Sequence, residues 1–199
     1  MSDFEQRAQE IIDAGQILYR KGMVPATSGN FSARVDDGSI AITVSGRHKG
    51  ELGLDDIMRV DLDGHALDTK KPSAEAELHC QLYRYFPDAG AILHPHMMSA
   101  IVLARRRKDD IYLQNYELLK ALNGITTHTT RVYIPVFAND QDISRLAAKV
   151  QNFIEHNSPA YAYIIDGHGL YTWGHSMADT LRHIEALDYL FTTELQLGN

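Results

Sequence analysis

Apolar residues recur at helical spacing in six segments of the chain. The first segment follows Ser2 and Glu5, a pair that matches the capping box at a helix start, and it stops at Gly22. In the other segments apolar side chains return every three or four residues, which places them on one face of a helix. Helices are therefore predicted over residues 2–22, 74–85, 97–103, 114–122, 142–154 and 177–195.

Shorter runs of alternating or continuous apolar residues predict strands. In residues 30–44, apolar and polar residues alternate on both sides of Asp36-Asp37-Gly38-Ser39, a turn sequence typical of a hairpin. The predicted strands cover residues 30–35, 40–44, 57–62, 91–93, 132–137 (despite Pro135), 161–165 and 170–173. Helices before, between and after these strands indicate one α/β layered domain that spans residues 1–199.

Charge and composition limit the classes of partner. The 199 residues include 26 acidic and 19 basic side chains, for a formal net charge of −7, which offers no global attraction to nucleic acids or anionic membranes. The sequence has one cysteine, Cys80, and it shows neither a targeting pattern at its start nor an apolar run of roughly 18 residues. We therefore expect a cytoplasmic protein that binds neither nucleic acid nor membrane.

The first candidate chemical site is a group of histidines. His94 and His96 end the predicted strand 91–93, and residues two apart in an extended segment project from the same face. A third imidazole could come from His168, because Gly167 and Gly169 allow a sharp turn around it. Three histidines and one open position suit a catalytic Zn²⁺ ion that acts as a Lewis acid.

Two segments rich in small and polar residues are candidate anion sites. The segments are Thr27-Ser28-Gly29-Asn30 and Ser45-Gly46-Arg47-His48-Lys49, which offer backbone N–H groups, hydroxyls, an amide and an ammonium group. Their spacing differs from that of a P-loop, which disfavours nucleotide hydrolysis. Lys70, Lys71 and Ser73 are secondary candidates for the same anion.

Proton transfer on carbon also requires an acid or base near the metal. Glu75 and Glu77 lie near the start of the predicted helix 74–85, and Glu117 lies in the predicted helix 114–122. Spacing alone does not choose among these three glutamates.

Several motifs, in their order along the chain, resemble the class II aldolase/adducin family. They are Thr27-Ser28-Gly29-Asn30, Val44-Ser45-Gly46, Lys71-Pro72-Ser73-Ala74-Glu75, His94-Pro95-His96 and Gly167-His168-Gly169-Leu170. The resemblance covers nearly the whole chain. It implies a single-domain fold with a central, mainly antiparallel sheet flanked by helices, and a homotetramer whose sites lie near subunit boundaries.

The resemblance also implies roles for individual residues. One Zn²⁺ per subunit would be held by His94, His96 and His168. The phosphate of a sugar-phosphate substrate would be bound by Ser28, Gly29, Asn30, Ser45, Gly46 and Lys49.

Further segments resemble the branch of this family that dehydrates 5-methylthioribulose 1-phosphate in methionine salvage. They include His48-Lys49-Gly50, Gln114-Asn115-Tyr116-Glu117-Leu118 and Asn139-Asp140-Gln141-Asp142-Ile143. In that branch the acid/base glutamate stands where Glu117 stands here, whereas the family's aldolases place theirs at the position of Glu75. We therefore expect Glu117 to be the main acid/base group, with Glu75 as the alternative. Retro-aldol cleavage of a sugar phosphate is the rival activity, and a non-enzymatic adducin-like binding module is the rival of another class.

Overall fold

A computed structural model describes residues 2–157 and 161–198 of the chain. Its centre is a seven-stranded sheet in the order β3-β2-β1-β4-β9-β8-β7, in which all neighbours are antiparallel except β7 and β8. A separate antiparallel pair is formed by β5 and β6. The strands are β1 (Asn30–Arg34), β2 (Ile40–Thr43), β3 (Ile57–Val60), β4 (Ala91–His94), β5 (Ile111–Leu113), β6 (Val132–Ile134), β7 (Val136–Phe137), β8 (Ala162–Ile165) and β9 (Gly169–Gly174).

In residues 2–157 and 161–198, five α-helices cover the two faces of the large sheet. They are α1 (Asp3–Arg20), α2 (Ala76–Tyr85), α3 (Met98–Arg107), α4 (Ile143–His156) and α5 (Met177–Leu197). The predicted capping box at Ser2 and Glu5 is present at the start of α1, and Asp142 and Ser176 cap α4 and α5. These local signals explain why the predicted starts of α1, α4 and α5 agree closely with the structure.

Alternate residues of the strands face two separate apolar layers. Phe31, Ala33 and Leu93 pack with α1, α3 and α5 on one face, whereas Ile42 and Ile92 pack with α2 and α4 on the other. Both faces of the sheet are therefore buried. The predicted fold class, an α/β layered fold with a mainly antiparallel sheet flanked by helices, is confirmed.

Two predicted elements differ from the structure. The helix predicted over 114–122 is only a short 3-10 helix, Glu117–Ala121, which follows the unpredicted strand β5. Asn115 has a left-handed backbone, with φ of 64°, which interrupts helical continuity before Tyr116. The predicted strand 132–137 divides at Pro135, which lacks an N–H group, so that β6 pairs with β5 and β7 pairs with β8.

The fold brings three chain segments together at one end of the sheet. Asn30 at the start of β1 is the register partner of His94 at the end of β4, and β9 begins beside them at Gly169. The N-terminal end of α2 lies over the same corner, because Glu75 contacts Asn30. Within the described residues, none of the helices is long and apolar enough to cross a membrane.

Candidate active site

Three histidines meet at this corner of the sheet. His94 is the last residue of β4, His96 follows two residues later, and His168 lies in the turn between β8 and β9. Nε2 of His94 is 3.1 Å from Nε2 of His96 and 3.4 Å from Nε2 of His168. The structure thus brings together the three residues that the sequence suggested as metal ligands.

The imidazole rings of His94 and His96 are in the protonation state that metal binding requires. The Nδ1 atom of fully buried His94 lies 2.8 Å from the carbonyl oxygen of Leu170 and donates a proton to it, which leaves a lone pair on Nε2. Burial and the neighbouring histidines hold the pKa of His94 well below its usual value. Burial, with a smaller effect of His168, lowers the pKa of His96 to about 4. Both imidazoles are therefore neutral at neutral pH, as metal ligands must be.

The spacing of the nitrogen atoms fits a small divalent ion. With metal–nitrogen distances of about 2.0–2.1 Å, tetrahedral geometry places two ligand nitrogens about 3.3 Å apart. The separations of 3.1 and 3.4 Å around His94 agree with that value. The triad could therefore hold a metal ion without large movement of its side chains.

Gly169 allows the His168 turn to approach the other two histidines. A Cβ atom at this position would lie 2.6 Å from the carbonyl oxygen of Pro95 and 2.9 Å from Cε1 of His94. Such distances are far inside van der Waals contact, and the obstructing oxygen belongs to the backbone. Gly169, which the sequence predicted to allow a sharp turn, is needed here for close packing.

Glu75 lies directly beside the triad. It is the N-cap residue of α2, and its carboxylate oxygens lie 3.2 Å from Nε2 of His168 and 3.6 Å from Nε2 of His94. The Nδ2 atom of Asn30 donates a hydrogen bond to the same carboxylate. Of the three glutamates suggested from the sequence, Glu75 is thus the one that the fold places next to the histidines.

A polar cavity of about 200 Å³ opens beside Glu75, His96 and His168. It brings together the two segments that the sequence suggested as anion sites. The remaining lining residues are Thr27, Gly29, Asn30, Thr43, Val44, Ser45, Gly46, Lys49 and Ser73. Thr43 was not expected, since its position in a strand gave no signal.

Three further candidates for the anion site, Ser28, Lys70 and Lys71, are not among the residues that line this cavity. The Oγ atom of Ser28 is buried and has no hydrogen-bond partner within the described residues, and Ser28 does not line this cavity. The ammonium group of Lys70 donates to the carbonyl oxygen of Ile57 instead. Lys71 contributes a backbone contact, in which its carbonyl oxygen accepts from the N–H of Ser45.

Lys49 supplies the cavity with a cationic group. Its ammonium nitrogen donates to the carbonyl oxygens of Thr27 at 2.9 Å and Arg47 at 2.6 Å, and the side chain is buried. Burial lowers the pKa of Lys49 to about 8, against a smaller opposing effect of the Glu75 charge. An ammonium group has three N–H donors, so one remains for a ligand.

Glu117 does not line the histidine cavity of its own chain. Its side chain is 74% exposed, it pairs with Lys120, and it lies 3.8 Å from His128. The hydrogen bond from Lys120 lowers the pKa of Glu117, so the carboxylate is ionised at neutral pH. Glu117 lines an open groove with Leu118, Arg182 and Tyr189. Among the described residues, this groove shares none with the histidine cavity. Glu77 is also away from the triad, because its carboxylate accepts from Ser144.

A buried polar network behind Glu75 was not foreseen from the sequence. It passes from Asn30 to His79 and then to Ser32 and Tyr83. One signal was available, because Glu75, His79 and Tyr83 recur at four-residue spacing and therefore lie on one helix face. The strand partners of these residues could be identified only once the packing of α2 on β1 was known.

The sequence of this chain is similar to those of known proteins. The chain is 56% identical over 196 residues to the methylthioribulose-1-phosphate dehydratase of Methylococcus capsulatus, an alignment that covers 98% of this chain and 96% of the relative. It is 53% identical to the methylthioribulose-1-phosphate dehydratase of Pseudomonas aeruginosa, with 97% and 95% covered.

Solved structures show the same fold. YgbL of Klebsiella pneumoniae superposes with a TM-score of 0.84 at 23% identity, over 100% of this chain and 92% of that chain. The L-fuculose-1-phosphate aldolase of Thermus thermophilus superposes with a TM-score of 0.74 at 25% identity, over 94% and 92%. The sequence profile described as Class II Aldolase and Adducin N-terminal domain matches residues 9–195. The chain therefore belongs to the class II aldolase and adducin N-terminal domain family.

Proposed function

We propose that the protein removes water from 5-methylthioribulose 1-phosphate to give 5-methylthio-2,3-dioxopentyl 1-phosphate, a step of methionine salvage. The observation that carries this proposal is the identity of more than half of all residues, over nearly the full length, with proteins named for that reaction. The reaction makes the protein a hydro-lyase. The histidine cavity supplies the two features that the chemistry needs, a metal-binding group and an anion-binding group.

His94, His96 and His168 would hold one Zn²⁺ ion per subunit. The neutral imidazoles and the 3.1 and 3.4 Å separations around His94 support this assignment. When bound, zinc supplies Lewis acidity, which makes a proton next to a ketone easier to remove. The buried ring of His94, stacked on Tyr171 at 4.0 Å between ring centres, gives this donor set a fixed orientation.

The substrate phosphate would bind in the cavity that His96 and His168 line. The free donor of Lys49, the hydroxyl of Ser45 and the backbone at Gly29 and Gly46 line that space. Asn30 lines it too, although one of its amide hydrogens is already used by Glu75. A local cation and hydroxyl groups explain how a protein with a net charge of −7 holds an anionic substrate.

Glu117 would transfer the protons. As a carboxylate it would take the proton from C3 of the sugar, and as a carboxylic acid it would give that proton to the hydroxyl that leaves from C4. The water that departs contains the C4 oxygen, and ketonisation of the remaining enol gives the diketone. One group thus serves both steps.

The separation of Glu117 from the histidines has a simple explanation in a homotetramer. The groove beside Glu117 exposes Leu118 and Tyr189, which are 37% and 64% accessible in the single chain. The histidine cavity, at about 200 Å³, is smaller than the roughly 300–1,000 Å³ of most small-molecule sites. Both features suit a site that a second copy completes by contributing its Glu117.

A second candidate activity is retro-aldol cleavage of a sugar phosphate. The observation that favours it is the contact of Glu75 with His168 at 3.2 Å, since Glu75 stands where family aldolases place their acid/base group. Retro-aldol cleavage breaks a carbon–carbon bond of the sugar, whereas dehydration breaks a carbon–oxygen bond.

One incubation tests both activities. Zinc-loaded protein is mixed with 5-methylthioribulose 1-phosphate, and the products are followed by mass spectrometry beside a chelated control. We expect loss of the mass of one water molecule, in a reaction that stops on chelation. Triose-sized products would establish the aldolase activity. Bound zinc without turnover of any sugar phosphate would favour an adducin-like binding module.

We also propose a cytoplasmic location. The one thiol of the sequence, Cys80, is buried, and its pKa is raised to about 11, chiefly by burial. A structural cysteine of this kind needs no oxidising compartment.

A further inference from the structure

A chain of buried polar groups leads away from Glu75 into the protein. The amide nitrogen of Asn30 contacts the Glu75 carboxylate, and the amide oxygen of Asn30 contacts Nε2 of His79. Nδ1 of His79 is 2.7 Å from Oγ of Ser32, which is 3.0 Å from the hydroxyl of Tyr83. His79 and Ser32 are completely buried. Water therefore does not replace these partners.

The carboxylate at one end of this network fixes the direction of every hydrogen bond. Glu75 can only accept, so Asn30 must present an N–H to it and turn its carbonyl oxygen toward His79. That oxygen can only accept, so Nε2 of His79 must donate. A neutral imidazole has one donor, so Nδ1 of His79 must accept from the hydroxyl of Ser32. Ser32 in turn accepts from Tyr83.

The secondary structure explains why these groups are aligned. Asn30 and Ser32 are two residues apart on β1 and so project from the same face of the sheet. Glu75, His79 and Tyr83 repeat at intervals of four around α2 and so share one helix face. Burial lowers the pKa of His79 to about 3, which keeps its ring neutral, as the network requires.

We propose that His79 is a positioning residue of the metal site. His79 donates from Nε2 to the oxygen of Asn30 and accepts at Nδ1 from Ser32. It thereby orients the amide of Asn30 so that an N–H faces Glu75, and keeps the Glu75 carboxylate beside the histidine triad. A carboxylate in that place stabilises a bound dication. The inference rests on the metal site of the proposed function, but it does not depend on which sugar phosphate is the substrate.

The first test requires neither metal nor substrate. Two-bond ¹H–¹⁵N NMR spectra of the full chain, with ¹⁵N-labelled histidine, distinguish the two neutral tautomers and the charged ring. The His79 signals are assigned by their loss in His79→Gln. We expect His79 to be the Nε2–H tautomer. Observation of the Nδ1–H tautomer or of a charged ring would overturn the proposal, whatever the protein's activity.

The second test measures zinc affinity by competition with a chromophoric chelator. His79→Phe keeps the ring volume but removes both hydrogen bonds, and we expect it to weaken zinc binding about 10-fold to 100-fold. His79→Gln places an amide N–H near the position of Nε2, and we expect an affinity within about threefold of the original protein. Equal affinities for His79→Phe and the original protein would refute the positioning role, as would a failure of Gln to rescue.

Two further variants separate positioning from general damage to the fold. Gln81→Met changes another buried polar residue of α2, whose amide donates to the carbonyl oxygen of Ala147 rather than to this network, and we expect its zinc affinity to be unchanged. Ser32→Ala removes the donor to His79, and it provides the test if His79→Phe does not fold. We expect Ser32→Ala to keep the Nε2–H tautomer, because the Asn30 oxygen still accepts from Nε2, and to bind zinc more weakly, because Nδ1 of His79 loses its donor. An unchanged zinc affinity would contradict the proposal.

Discussion

Oε1 of Glu75 lies 3.2 Å from Nε2 of His168. Glu117 instead lines a groove that has none of its described residues in common with the histidine cavity of the same chain. The two glutamates therefore differ in their surroundings, and the proposed function gives them different roles. Glu75 would contribute negative charge next to the metal ligands, and Glu117 would act in the site of a neighbouring subunit.

Substitution of each glutamate by glutamine should produce different defects. For Glu117→Gln we expect kcat to fall by about 10²- to 10⁴-fold with zinc still bound, because the proton-transfer group is lost. For Glu75→Gln we expect zinc affinity to fall about 10-fold to 100-fold, with much of kcat restored at saturating zinc. Steady-state kinetics and metal analysis measure both effects. If Glu117→Gln retains kcat within a few-fold, Glu75 becomes the acid/base group.

The histidine triad could be predicted from the sequence because its signals are local. The two-residue spacing of His94 and His96 follows from strand geometry, and His168 stands between two glycines in a short turn. The capping box at Ser2 and the hairpin around Gly38 are local in the same way. Such features require only the conformation of a few consecutive residues.

The surroundings of the triad were harder to predict because they depend on packing between distant segments. Asn30 was predicted to bind an anion, but no sequence pattern indicated that its amide also contacts Glu75 and His79, which are 45 and 49 residues away. Apolar periodicity also could not distinguish an α-helix from a single 3-10 turn around Glu117. Only the three-dimensional arrangement shows that Glu75 and Glu117 occupy different surfaces.

If Glu117 acts in the site of a neighbouring subunit, two inactive variants should complement each other. His96→Ala lacks a metal ligand, and Glu117→Gln lacks the proton-transfer group. In a tetramer assembled from equal amounts of both chains, about one quarter of the interfaces pair an intact triad with an intact Glu117. We therefore expect co-expression to restore about one quarter of the original kcat.

The control for complementation is each variant expressed alone, which should remain inactive. Absence of activity in the mixed tetramers, with mixing verified by mass spectrometry, would mean that Glu117 acts within its own chain or not at all. Sedimentation of the unmodified protein should give the mass of a tetramer.

Lys49 should make substrate binding depend on pH. Burial lowers the pKa of Lys49 to about 8, and lysine is cationic below its pKa, so KM should be low below pH 8 and should rise above it. The substrate phosphate cannot cause this change, because phosphate monoesters lose their second proton near pH 6, at about two units lower. Measurement of KM between pH 6 and pH 9.5 checks the prediction.

The matched variant for this pH dependence is Lys49→Met, which keeps much of the side-chain length but has no charge. We expect KM to increase about 10-fold to 100-fold at pH 7. The rise in KM above pH 8 should disappear in the variant. A variant that kept the same pH dependence would show that another group titrates.

Gly169→Ala should disrupt the metal site through packing alone. The new Cβ atom would lie 2.6 Å from the carbonyl oxygen of Pro95 and 2.9 Å from Cε1 of His94, so the His168 turn must move away from the other histidines. We expect zinc affinity to fall by at least about tenfold. The increase in Tm that zinc gives to the original protein should shrink accordingly, because a ligand stabilises the folded state in proportion to the logarithm of its concentration over Kd.

Gly53→Ala is the control, since the nearest atom to its Cβ is 4.0 Å away and its φ of −116° suits alanine. Equal zinc affinity and equal zinc-dependent Tm shifts in the two variants would show that close approach at Gly169 does not hold the triad together.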